Sequence, residues 1–212
     1  MKYSKTVLSV VLISILNSVV HAAGGMSGGG GKLIDPTPPD KIVSVRKVKE
    51  IIKESAEDCL KKYLVEKRNS LKQGQLNGYE AATMEKLFSH PQNIFKVVDK
   101  THVIIQEDTS CFDHQDEPTD GSFFNQDKKA ICISALNISK KVHQKEIKPQ
   151  SLALMMHEYS EVMGFSDDEA VHLQTTVLQD LKSKPTYDDS VSDDHSEDHT
   201  DNHYNNERQT HY

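Results

Sequence analysis

From Ser44 to Arg68 the apolar positions Val45, Val48, Ile52, Ala56, Cys59 and Tyr63 return at steps of three and four, with Lys and Glu between them. That period predicts one long amphipathic helix. A second helix is expected from Tyr79 to Ser89, ended by Pro91. The β-branched stretch IFKVVDKTHVIIQ, Ile94 to Gln106, broken at Asp99-Lys100, predicts two short strands, with one longer strand as the alternative. Glu107 to Lys129 holds Pro118 and Asp120-Gly121 and is expected to be loop. Ala130 to Ser139, AICISALNIS, predicts a further strand, followed by a linker from Lys140 to Lys148. Pro149 then supplies the backbone angle favoured at a helix start, for a helix from Gln150 to Met163. Ser166, Asp167, Asp168 and Glu169 form a capping box for a last helix through Val171, Val177, Leu178 and Leu181. The order helix, helix, strands, helix, helix predicts an α+β class, with helices packed on a small antiparallel sheet in a single domain.

The two ends of the chain do not share this patterning. Lys2 and Lys5 precede an apolar run from Val7 to Val20 that closes on Val20-His21-Ala22, the layout of a secretory signal peptide over residues 1–22. The run is shorter than the roughly 20 residues of a spanning helix, so the expectation is an exported protein, periplasmic or secreted, with no membrane attachment after cleavage. Residues 23–39, with GGMSGGGG and Asp35-Pro36-Thr37-Pro38-Pro39, are expected to be a disordered linker. Residues 40–184 form the expected domain. Residues 185–212 make an acidic, His-rich tail with almost no aliphatic side chains, expected to be disordered. Its eight carboxylates against one arginine equal the −7 of the whole chain, so everything before it is neutral overall. A neutral domain argues against a nucleic-acid partner, which needs a basic surface.

Three cysteines, Cys59, Cys111 and Cys132, suit one disulfide and one thiol in an exported chain. Cys111 with Cys132 is the expected pair because they flank a polar loop, whereas Cys59 falls on the apolar face of the first helix. A Cys59 bridge or three reduced thiols are the alternatives. Asn137-Ile138-Ser139 fits a glycosylation acceptor pattern inside the expected strand. GGMSGGGG lacks the downstream Lys-Ser/Thr and the strand-to-helix setting of a phosphate-binding loop.

The candidate chemistry lies in MMHEYSEVMGFSDDEA, residues 155–170. On the expected helix Leu152, Met155, Met156, Tyr159, Val162 and Met163 form one broad apolar face, and His157, Glu158 and Glu161 fall together on the other side. Gly164 suits a left-handed helix end, after which Phe165 tucks back. The spacing brings an imidazole and a carboxylate within reach of one ion, with Glu158 a third of a turn away as a base.

The stretch His157-Glu158-x-x-Glu161-x-x-Gly164-x-x-Asp167 resembles the signature of the metzincin branch of zinc metallopeptidases, His-Glu-x-x-His-x-x-Gly-x-x-His/Asp. The resemblance implies His157, Glu161 and Asp167 as zinc ligands, Glu158 as the catalytic base, Gly164 as the turn, and a peptide or protein substrate. It covers eleven residues. Glu161 stands where the second His belongs, and no methionine follows Gly164, so the methionine turn of that branch has no counterpart. One imidazole with two carboxylates neutralises a divalent ion and makes it a weaker Lewis acid. His172, five residues past Asp167, is a reserve ligand. In the tail, His195, His199 and His203, spaced by four among carboxylates, form a weak second metal strip. Three readings stand open: a catalytic zinc peptidase, a non-catalytic metal site, and a non-enzymatic binding or structural protein that keeps the helix for packing.

Overall fold

A computed structural model of the chain describes residues 30–124 and 130–183. The stretch expected to be a signal peptide, the first part of the expected linker and the tail with His195, His199 and His203 lie outside the described residues. The first helix runs as α1 (Val45–Glu54), a π-helical turn (Ser55–Cys59) and α2 (Leu60–Lys72). Ser44 caps it by accepting from the Lys47 amide. Its buried positions Val48, Ile52, Leu60, Tyr63 and Leu64 lie on the expected apolar stripe or beside it. α3 (Gly78–Ser89) follows, capped by Asn77.

Residues Ile94–Lys100 are helix α4 and not a strand. Asn93 caps the helix through the Phe95 amide, and Ile94, Val97 and Val98 are buried at helical spacing. Packing of one apolar face therefore outweighs the β preference of Val and Ile. Only the second half of the stretch is a strand, β1 (His102–Gln106). The expected loop contains β2 (Cys111–Phe112), β3 (Pro118–Thr119) and β4 (Gly121–Phe124). β5 (Ala130–Ser134) ends where the Ser134 hydroxyl accepts from the Asn137 amide and starts α5 (Ala135–Lys141), so the expected ten-residue strand is half strand, half helix.

The main sheet has the order β1-β5-β4 and is mixed, not antiparallel: β1 runs parallel to β5 and β4 antiparallel to it. β2 and β3 form a separate antiparallel pair. Every residue of β5 is buried. Cys111 and Cys132 form the expected disulfide, with Cα atoms 5.9 Å apart, and it ties β2 to β5. Cys59 is a free, half-buried thiol.

After a short 3-10 turn (Gln144–Glu146), α6 (Ile147–Val162) starts three residues before the expected Gln150 and is buried from Pro149 to Glu161. It packs against α7 (Asp167–Ser183), α1, β4 and β5. Gly164, at φ 93°, ends α6, and the Phe165 amide donates back to the Ser160 carbonyl. One half of the capping box is seen: the Ser166 amide donates to Glu169 Oε2. This is the α+β, single-domain arrangement of the sequence reading, and no helix among the described residues is long and apolar enough to cross a membrane.

The folded part begins before Asp40. Residues 30–39, assigned to the linker, are hydrogen-bonded to the domain at several points.

Candidate metal centre

α6 carries His157, Glu158 and Glu161 in its last turns, and the Gly164 turn brings the first residue of α7 back over them. His157 Nε2 lies 3.7 Å from Glu161 Oε2 and 3.6 Å from Asp167 Oδ1. One donor atom from each of His157, Glu158 and Glu161 falls within 4.8 Å of the others. The two shorter separations are too long for hydrogen bonds. They are close to the roughly 3.4 Å edge of a tetrahedron built on zinc bonds of about 2.1 Å.

His157, Glu158 and Glu161 are buried to 2% exposure or less, while the Asp167 side chain keeps 46%. Neither oxygen of Glu161 nor Oε2 of Glu158 accepts from another residue among those described, but the two carboxyl groups lie close enough to hydrogen-bond each other through a shared proton. Buried carboxylate oxygens without donors are costly unless they are protonated or bind a cation. Burial, and then the neighbouring Asp167 charge, pushes the Glu161 carboxyl up to about 8. Glu158 is raised well above the ordinary carboxylate range, first by burial and then by the charge of Glu161, against the Gly31 amide that favours its ionised form. The donor set thus fits a divalent cation on chemical grounds: an imidazole and carboxylates, desolvated, short of donors and clustered.

Comparison with known protein families, curated proteins and solved structures finds no match for this chain.

Of the expected site residues, the structure brings together His157, Glu158 and Glu161, and sets Asp167 beside His157. His172 is elsewhere engaged, its Nδ1 2.8 Å from the Tyr79 hydroxyl on an exposed face, and takes no part. The Asn137 acceptor pattern lies in α5, and its amide donates to the Thr119 carbonyl and to Asp120 Oδ1, so folding ties up the nitrogen that a glycan would need.

Sequence reasoning missed the wall opposite α6. The Gly31 amide donates to Glu158 Oε1 at 3.0 Å, and the Gly31 carbonyl accepts from the Gly121 amide and the Thr119 hydroxyl. Asp120, buried, accepts from the Leu33 amide, Asn137 and Lys141. The available signal was the glycine run itself, which reads as flexibility in isolation and as close approach only beside a partner.

Proposed function

We infer that this chain is an exported, metallopeptidase-like protein whose α6–α7 corner holds a divalent cation, zinc by the resemblance, on His157, Glu161 and Asp167, and that it does not hydrolyse peptides while residues 30–34 are docked. The observation that carries the reading is that one nitrogen of buried His157 stands 3.7 Å from a Glu161 oxygen and 3.6 Å from an Asp167 oxygen on the next helix, too far for hydrogen bonds. Bound there, the ion would act as a Lewis acid toward a carbonyl, weakened by the two carboxylates. Glu158, the base implied by the resemblance, accepts the Gly31 amide and is 0% exposed, so its Oε1 is occupied and water is kept from it.

The same burial favours the second reading, a non-enzymatic exported protein in which the two glutamates share protons and α6 serves packing. The two separate in one experiment. The mature chain with His195, His199 and His203 replaced by alanine should retain one zinc per chain after gel filtration, and adding His157→Ala should remove it. No zinc in the first protein, after zinc is offered, would leave the packing reading. If zinc is retained, Glu158→Gln should leave metal content unchanged, and no peptide hydrolysis should be seen in either form with the glycine segment in place.

A further inference from the structure

The segment from Gly30 to Ile34 is bound by the domain through its backbone. Gly31 makes three backbone hydrogen bonds, to Glu158 Oε1, the Gly121 amide and the Thr119 hydroxyl. Lys32 O accepts from Gln174 Nε2 at 2.8 Å, the Leu33 amide donates to Asp120 Oδ2 at 3.1 Å, and Ile34 O accepts from Gln150 Nε2 at 2.7 Å. Gln150, Gln174, Thr119 and Asp120 are all buried. Polar side chains buried against a peptide backbone, with the Lys32 side chain itself exposed, are how a groove recognises an extended chain by its main-chain groups.

Side-chain space is absent at both glycines of the segment. A Cβ on Gly31 would lie 2.4 Å from Glu158 Oε1 and 2.8 Å from Leu154 Cδ1; one on Gly30 would lie 2.5 Å from Thr119 Cγ2. Gly121, on the opposite wall, is limited in the same way, with Glu158 Oε1 at 2.6 Å from its Cβ position. Glu158 is thus sandwiched between two glycines on β4 and on the segment.

We propose that the site between β4 and the α6–α7 corner holds a peptide by its backbone and is selective for Gly-Gly, and that the chain's own Gly30-Gly31 fills it and closes the cluster beneath. The ligand class is a peptide held by its main chain whose two residues over Thr119 and Glu158 lack side chains. In the resting protein that ligand is supplied in cis, so a peptide in trans competes only once the segment is displaced. Its control of access to a metal rests on the reading above; the peptide site itself does not.

The test uses the full mature chain in chelator, so that no readout depends on metal. In Gly31→Val the segment should undock, and hydrogen exchange at the Gly121 and Leu33 amides should speed up at least tenfold. The undocked variant should bind an acetylated peptide of residues 30–37, GGKLIDPT, and not the same peptide with valine in place of its second glycine; the parent should bind neither. Unchanged protection of Gly121 in Gly31→Val, or equal binding of both peptides, or binding of neither, overturns the proposal. If Gly31→Val does not fold, Gln174→Ala removes the donor to Lys32 O without adding bulk, and Gly121 exchange should again rise; no rise overturns it. Loss of zinc binding in every form, with the peptide result intact, would remove the metal reading and leave the peptide site standing.

Discussion

Glu161 is the residue at which environment changes chemistry most. An exposed glutamate ionises near 4.5, while burial in the metal-free protein holds this one protonated up to about 8. The folded state therefore keeps a proton that the unfolded chain releases above about 4.5. The stability tied to that proton is full below the unfolded value and is lost as pH rises through about 8. In chelator, the urea midpoint should fall between pH 5 and pH 8, and Glu161→Gln should reduce that slope, leaving the part carried by buried Glu158. A flat profile in the parent would mean that Glu161 is already ionised when metal-free. At Lys67 the balance is different. This lysine, 4% exposed, pairs with Glu80 and with Asp180 Oδ1, joining α2, α3 and α7. Lys67→Met should destabilise the fold by about 3–5 kcal/mol, because two largely buried carboxylates lose their cation. Denaturant unfolding measures this.

Among the elements, α4 and α5 show where local preference gives way. Ile94–Lys100 is rich in β-branched residues and still forms a helix, because its cap and its buried face agree on a period of 3.6. AICISALNIS changes type at Ser134, whose hydroxyl closes the strand and opens the helix. Neither switch shows in composition; each begins at one short polar side chain, Asn93 or Ser134. The β2–β5 disulfide joins the small sheet to the main one across 21 residues of sequence. A closed loop of that length is worth about 3 kcal/mol. Reduction, or Cys111→Ala with Cys132→Ala, should lower stability by that amount and loosen β2 and β3 first. Equal exchange rates in those strands before and after reduction would show that the bridge restrains little.

At the scale of the whole molecule, the cluster joins two helices and the N-terminal segment, so a ligand there stabilises the domain as a unit. Zinc at a hundredfold excess over its dissociation constant should add about 2.7 kcal/mol to unfolding stability. The gain should vanish in His157→Ala, and a thermal melt with and without zinc measures it; no gain in the parent would argue for packing alone. Local signals in the sequence, periodicity for the long first helix and start and stop residues for α3, α6 and α7, were enough to determine these helices and the α+β class, because each depends on neighbours within a few residues. The placing of His157, Glu158 and Glu161 on one helical face followed from the same spacing. Only the tertiary structure decided the rest. Asp167 reaches His157 because the turn at Gly164 folds α7 back, the sheet is mixed because β1 finds β5 across intervening chain, and Gly31 covers Glu158 from 127 residues away. A glycine run has no side chain with which to announce a partner. Its position was settled by buried Gln150, Gln174, Thr119 and Asp120, whose hydrogen bonds are met by backbone that no local pattern marks as bound.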